Sequence, residues 1–334
     1  MRTHLASAAL AATVTVATLG YALWGADIGT LARILADGRA WVIPPFLLIL
    51  AIFYYTNAVR WRLLLIPFGQ FRTAQLLPSM MIGFAANNVL PLRVGEVIRA
   101  YLLGKDLRLS RSGVLMNLAL ERLLDLIAIL TIFIAGLLLL PDAPLTFRGI
   151  AWLAIAVTSM LAGLLALFVA APARIDRLWK RVARWLPPTL AERGSIYLAQ
   201  FAKGLAPMRD VRLSTMLIAQ SVGRWLLSAV LGWLSIYTYV GPVTLPVAMV
   251  TIGITAFAVS LPSTPGFVGP MQAAFVFALT PLDIEREAAL AASLFFLLGH
   301  WIPVTAAGAL LLASRHLSFR EVAAKAARGE GAEE

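Results

Sequence analysis

The chain has 334 residues, of which 60% are hydrophobic and only 13% are charged, and these proportions exclude an ordinary soluble enzyme. Lys and Arg number 28 against 17 Asp and Glu, which gives a net charge of +11. Apolar stretches near or above the roughly 20 residues that cross a bilayer as a helix recur along the chain, without the alternation typical of outer-membrane barrels. We therefore predict an all-α, polytopic helical membrane protein.

The basic excess is better explained by the positive-inside rule than by nucleic-acid binding, because no soluble segment is large enough to read a groove. The chain has no cysteine and three scattered histidines, which argues against disulfides and metal clusters. HExxH, Walker and Asp-x-Asp motifs are also absent from the sequence. We expect no enzymatic activity, no cofactor and no bound metal.

The first two predicted helices lie within residues 1–62. Residues 5–24 are interpreted as a retained anchor rather than a cleaved signal peptide, because a cut after Ala26 would put the bulky Trp24 where a small residue is preferred. Charges cancel in the polar link 27–39, which we predict to be external. The second span, residues 41–59, is followed by Arg60 and Arg62, which places this end on the cytoplasmic side.

Residues 76–104 are too rich in proline, asparagine and charge for a lipid-facing helix. We predict a helix that is broken near residues 87–95 and returns to the cytoplasmic side, because irregular backbone at membrane depth must be surrounded by protein or water. Pro91 and Gly95 are predicted to shape this re-entrant hairpin.

Two spans and a basic loop follow, at residues 113–140, 149–171 and 172–212. The loop holds nine basic and three acidic residues, a net charge of +6, and is predicted to be cytoplasmic. Part of it is typical of an amphipathic helix lying on the inner leaflet. The alternative is an ordinary loop with solvated charges. The predicted apolar face consists of Ile175, Leu178, Trp179, Val182 and Leu186.

The last third of the chain contains an outward span, residues 213–240, a second re-entrant hairpin, residues 246–279, and an inward span, residues 288–313. The acidic loop after the second hairpin places its ends outside. This gives six full spans and two hairpins in one transmembrane domain, residues 1–313, with a polar, frayed cytoplasmic tail, residues 314–334, and both termini cytoplasmic. The predicted turn residues of the second hairpin are Pro262, Pro265, Gly266 and Gly269.

Each hairpin contains a Leu-Pro pair with a glycine four residues after the proline, and the two hairpins enter from opposite faces. Paired broken segments are typical of inverted-repeat transporters, whose substrate site lies near the membrane midplane. The alternative is two unrelated breaks.

Ionisable side chains at membrane depth mark the candidate site, because they are costly to insert and normally face the bundle interior. Glu121 and Asp125 share one helix face, and Arg122 can reach Asp125. These three carry a net charge of −1, for which Arg224 is the candidate cation. A substrate site and an ionic staple between helices both remain open.

A second candidate group follows the first break, where Arg93, Glu96 and Arg99 recur every third residue. They predict one polar stripe of net charge +1, which would attract a lipid phosphate or snorkel to the interface. Asn87 and Asn88 would donate to headgroup oxygens or satisfy free carbonyls. His300 is predicted to be a hydrogen-bonded interior residue rather than a proton carrier.

The segments NNVLPLRVGEVIRAYLLG, ERLLD and LPSTPGFVGPMQ resemble the lysylphosphatidylglycerol synthase transmembrane-region family over almost the whole chain. The resemblance implies a flippase-like module, which in larger relatives moves aminoacylated phosphatidylglycerol and is fused to a soluble aminoacyl transferase domain not expected here. Phe267 replaces a family glycine and Gln272 replaces an acid, which favours an anionic or uncharged headgroup. Matching positions are Asn88, Pro91, Arg93, Gly95, Glu96, Arg99, Glu121, Arg122 and Asp125.

We therefore expect a flippase-like transporter of a phospholipid or lipid-linked envelope precursor in the inner membrane. Its partners would be an anionic phospholipid or polyprenyl-linked lipid, and also an envelope-lipid enzyme or a second copy of the chain, but not nucleic acid. The alternative is a non-catalytic accessory protein that docks a lipid-modifying or glycosyl-transferring enzyme. The candidate substrate-binding residues are Asn87, Asn88, Arg93, Glu96, Arg99, Glu121, Arg122, Asp125, Arg224 and Gln272.

Overall fold

The computed structural model describes residues 2–90, 93–109, 111–140, 144–260 and 265–328. The protein is 86% helical, and the described ranges contain no strand. This confirms the predicted all-α class. Pro91 and Pro262, two of the predicted turn residues, lie outside the described residues.

The helices of the first half are α1 (Arg2–Leu23), α2 (Ile28–Ala36), α3 (Ile43–Leu64), α4 (Thr73–Val89), α5 (Val94–Leu107), α6 (Arg111–Leu138) and α7 (Leu145–Ala170). Those of the second half are α8 (Pro172–Ala183), α9 (Pro188–Gly204), α10 (Ala206–Arg209), α11 (Val211–Val240), α12 (Leu245–Ala258), α13 (Pro270–Leu279), α14 (Arg286–Ala313) and α15 (Phe319–Arg328).

Several helices are long and apolar enough to cross a membrane. Within the described residues there are five such stretches, and one of them includes α13 of the second hairpin. α6 has 28 residues, about 42 Å at ~1.5 Å per residue, but carries three charged side chains near its middle. The protein is a multi-pass membrane protein, while the count of six full spans stays a prediction. The five stretches are Ala40–Leu64, Gly149–Ala170, Val211–Val240, Pro265–Leu282 and Arg286–Ala313.

The first hairpin consists of α4 and α5, which pack directly against each other. Gly83 and Gly95 lie at their crossing. A Cβ atom on Gly95 would collide with the Gly83 carbonyl oxygen and with Asn87, and one on Gly83 would lie 2.6 Å from the Arg99 Cβ. The two backbones therefore touch at a distance that only glycine permits.

The second hairpin consists of α12 and α13, and a short 3₁₀ turn, Pro265–Phe267, precedes α13. Gly266 and Gly269 have positive φ angles of 79° and 96°, which glycine adopts without strain. A Cβ on Gly269 would lie 2.5 Å from the Thr18 hydroxyl oxygen of α1. The 3₁₀ turn also contacts α4, so the second hairpin touches the first at its turn.

α14 packs against α4 and α11, and α11 also packs against α3, α6 and α12. The largest buried cluster in the described residues lies mainly among α3, α11, α12, α13 and α14, and includes Phe46, Leu231, Phe275 and Leu290. The two hairpins are thereby held against one central group of helices.

The predicted polar link and the predicted frayed tail both contain helices. α2 lies in the predicted polar link and is capped by Asp27, which accepts from the Gly29 N–H. Hydrogen bonds from Thr30 and Gly29 hold the pKa of Asp27 below its ordinary value. The predicted frayed tail is wrong over α15, because Val322 and Ala326 are buried in a cluster shared with α5.

Candidate functional site

An ionic cluster lies between α3, α5, α6 and α11, and its centre is Arg60. The Arg60 side chain is fully buried, and donates to Glu121 Oε1 at 2.7 Å and to Asp125 Oδ1 at 2.5 Å. Because Glu121 and Asp125 are one helical turn apart on α6, one guanidinium can bridge both. In the sequence Arg60 served only to mark the cytoplasmic end of a span.

Two further buried arginines complete the cluster. Arg99 of α5 donates to Glu121 Oε2 at 2.6 Å, and Arg224 of α11 donates to Asp125 Oδ1 at 2.5 Å. The predicted approach of Arg224 is therefore present, but Arg60 and Arg99 join the cluster as cations that the prediction did not include. Three buried arginines face two carboxylates, so the cluster has a net charge of +1.

Arg122 lies at the edge of this cluster. It pairs with Glu96 at 2.8 Å and reaches Asp125 only at 4.0 Å. The side chains of Arg122 and Glu96 are 44% and 21% exposed, so this pair is more accessible than the others. The Arg122–Glu96 pair adds no net charge to the cluster.

The predicted polar stripe of Arg93, Glu96 and Arg99 does not exist as one surface. Arg93 precedes α5 in a left-handed conformation, with φ 54°, so its side chain does not follow the helical period. It donates to the Val259 carbonyl at the end of α12, at 2.6 Å. The three side chains thus reach three different partners, and Arg93 links the two hairpins.

Several nitrogen atoms of the buried arginines have no hydrogen-bond partner among the described residues. They are Nε of Arg60 and Arg224, and Nε and Nη1 of Arg99. Aromatic rings supply part of the missing stabilisation, because the Arg224 guanidinium lies 5.1 Å from the Phe53 ring centroid and 4.8 Å from that of Trp225. The cluster nevertheless keeps unused hydrogen-bond donors.

A cavity of about 250 Å³ opens beside Arg224, where the two hairpins meet. Its walls come from α3, α4, α11, α12, α13 and α14 and from the 3₁₀ turn of the second hairpin. Most of the lining is aromatic or aliphatic. Its polar lining residues are Asn57, Asn88, Arg224, Ser228, Thr255 and His300.

The two predicted asparagines have different environments. Asn88 lines the cavity, donates to the Thr305 hydroxyl at 3.0 Å and accepts from Trp301 through its main-chain carbonyl at 3.3 Å. Asn87 instead packs against Gly95, away from the cavity lining. Only Asn88 is therefore placed to contact a molecule in the cavity.

Gln272 and His300 also make structural contacts. The Gln272 side-chain oxygen accepts from the Gly269 N–H at 2.8 Å and caps α13, and Gln272 does not line the cavity. Nδ1 of His300 lies 2.9 Å from the Phe296 carbonyl oxygen, and the His300 ring packs against Phe46.

Three residues of the site, Arg60, Asn57 and Trp225, were not among those predicted from the sequence. Asn57 and Arg60 are three residues apart, so they share a face of an otherwise apolar helix. This spacing could have indicated that Arg60 faces the protein interior rather than the membrane–water interface. Trp225, which donates to Asp125 at 3.3 Å, follows Arg224 in an apolar run and gives no such signal.

In the part of the chain that the structure describes, no three His, Asp or Glu side chains are grouped to hold a metal ion. No curated protein is similar enough to match the chain. The family model described as "Lysylphosphatidylglycerol synthase TM region" matches residues 6–308, and this confirms the resemblance of the three motifs. The chain therefore belongs to the lysylphosphatidylglycerol synthase TM region family.

Proposed function

We propose that the protein moves a phospholipid or a lipid-linked envelope precursor with a phosphate-bearing headgroup between the leaflets of the inner membrane. Membership of the family indicates a lipid-related function in the cell envelope. The observation that carries the finer proposal is the buried excess of arginine at a cavity lined by both hairpins.

The charge balance supports an anionic ligand. Burying a charge in a membrane protein is costly unless a counter-charge or a polar path compensates it. Arg224 has one carboxylate partner, Asp125, which it shares with Arg60, and its Nε has no partner within the described ranges. Phosphate oxygens would supply both the missing charge and the missing acceptors.

The cavity suits a headgroup better than a whole lipid. Its volume of about 250 Å³ is too small for two acyl chains, which would stay in the bilayer. Asn88, Ser228 and Thr255 contribute polar side chains to the lining, and aromatic side chains make up much of the rest. A headgroup could thus leave the membrane surface without an uncompensated loss of hydration.

The proposal includes no catalytic step, and it places the protein in the inner membrane with both termini in the cytoplasm. Because the chain has no cysteine, single cysteines can test this orientation. Cysteines at Thr30 and Asp283 should react with an impermeant thiol reagent from outside, and those at Thr73 and Ser195 should not. Labelling of Ser195 from outside would contradict the orientation.

The decisive test of function is lipid movement by purified protein in liposomes, followed with a fluorescent anionic phospholipid. Arg224→Gln should slow movement by about 10-fold or more, since a charge-assisted hydrogen bond contributes ~1.5–3 kcal/mol. Arg224→Lys should be intermediate, because an ammonium keeps the charge without the planar fork. Arg212→Gln, at the exposed start of the same helix, is the matched control and should change nothing.

Two results would contradict the proposal. One is full lipid movement by a folded Arg224→Gln variant. The other is no movement above empty liposomes by unmodified protein that co-purifies with an envelope-lipid enzyme, which would favour the accessory function.

A further inference from the structure

The loop at residues 172–212, predicted to be cytoplasmic, contains two packed helices, α8 and α9. Trp179 of α8 donates through Nε1 to the Ser195 hydroxyl of α9 at 2.9 Å, and a Cβ on Gly194 would collide with the Trp179 ring. Ile175 faces the same groove. The apolar face predicted from the sequence is therefore divided, because Ile175 and Trp179 pack towards α9.

Leu178 and Val182 of that face point away from the protein, together with Trp185, which the sequence prediction did not include. The exposed fractions of Leu178, Val182 and Trp185 are 59%, 45% and 87%. Their spacing of four and three residues places them along one side of α8 and its C-terminal turn. Large apolar side chains in one exposed stripe indicate an interaction surface rather than a solvated face.

Arginines border the same stripe. Arg174, Arg177, Arg181 and Arg184 are spaced by three, four and three residues, so they form a row along one side of α8. In the described part of the chain, none of these four arginines forms an ion pair with a carboxylate. The neighbouring Asp176 pairs with Lys180 instead, at 2.6 Å. The stripe and this row together form a surface that we call the α8 face.

We propose that the α8 face binds the surface of the membrane leaflet at which α7 ends, and that it selects anionic phospholipid. α8 begins two residues after α7, a helix able to span the membrane, so it starts at the interface. Leu178, Val182 and Trp185 would enter the headgroup and acyl-chain boundary. The arginine row would contact lipid phosphates. This inference does not depend on lipid transport.

The test uses full-length protein in nanodiscs, with a fluorophore on a single introduced cysteine and brominated lipids as quenchers. Leu178→Cys reports the stripe, and Lys180→Cys, on the opposite side of α8, is the matched control. In bilayers containing phosphatidylglycerol the label at Leu178 should be strongly quenched, and the label at Lys180 should not. In pure phosphatidylcholine the quenching at Leu178 should fall.

The charge requirement is tested by Arg177→Gln together with Arg181→Gln. Each basic side chain near an anionic surface strengthens association by about 5-fold, so two losses should weaken it about 25-fold. The phosphatidylglycerol-dependent part of the quenching should then disappear. These two side chains lie on the exposed surface of α8, so helix content should not change.

Three outcomes would overturn the proposal. Equal quenching of the two labels would show that the stripe does not face lipid, and equal quenching at Leu178 in both bilayers would exclude selection of anionic lipid. Shielding of Leu178 only when another protein co-purifies would assign the face to a protein partner. Loss of lipid movement with an intact quenching pattern would affect the proposed function alone.

Discussion

Replacing Glu121 with Gln tests the balance of the buried cluster most directly. Glu121 accepts from Arg60 through one oxygen, at 2.7 Å, and from Arg99 through the other, at 2.6 Å. The change removes one of two buried carboxylates and keeps the shape of the side chain. The net charge of the cluster would rise from +1 to +2.

The expected loss is large because all three side chains are almost completely shielded, with exposed fractions of 0–2%. Breaking a buried ion pair by removing one partner costs about 3–5 kcal/mol, since the other charge stays buried. Arg60 would retain Asp125, but Arg99 would keep only weaker contacts, with the Trp61 and Phe84 rings. Most of the loss should therefore come from Arg99.

Thermal unfolding in detergent, with folded yield as a second measure, would test this reasoning. Glu121→Gln should lower both, and adding Arg99→Met should restore much of the loss because no unpaired buried charge remains on α5. Adding Arg122→Gln instead should restore little, since Arg122 pairs with Glu96. If the Glu121 and Arg99 changes were simply additive, the proposed coupling would be refuted.

Three further predictions concern the hairpins and the tail. Gly95→Ala should cost roughly 1–3 kcal/mol by overpacking, whereas Gly149→Ala, with open space around it, should be neutral; equal unfolding temperatures would contradict the close crossing. Gln272→Leu should cost about 1 kcal/mol through loss of the α13 cap, and a variant with an unchanged unfolding temperature would show that the cap is dispensable. Asp106→Asn removes a partly exposed ion pair with Arg315 and should cost less than about 1 kcal/mol, but should speed proteolysis of α15; unchanged proteolysis would show that this ion pair does not hold α15 in place.

Hydropathy predicted the positions of the helices well. The hairpin predicted at residues 76–104 occupies residues 73–107, and the one at residues 246–279 occupies residues 245–279. The breaks were visible because proline, glycine and polar residues cannot face lipid within a continuous helix. The two hairpins could therefore be predicted from local composition.

The partners within the site were less accessible to sequence reasoning. Helical spacing placed Glu121 and Asp125 on one face, but it could not show that α3 lies opposite and contributes Arg60. Arg93 was assigned to a helical stripe because it precedes Glu96 by three residues, yet its left-handed backbone directs it to Val259. Helix adjacency and positive φ angles of non-glycine residues depend on the tertiary structure, which one sequence does not display.

The contact between Gly83 and Gly95 restricts how the first hairpin can move. Where two backbones touch, no side chain is available to change rotamer and absorb a sliding motion. α4 and α5 must therefore shift as one rigid body, and any hinge must lie beyond their paired segment. Candidate hinge points are the connections at Thr73 and Leu107, at the two ends of the hairpin. A motion that opens the cavity would thus be a tilt of the whole hairpin, resisted at its tip by the hydrogen bond from Arg93 to Val259.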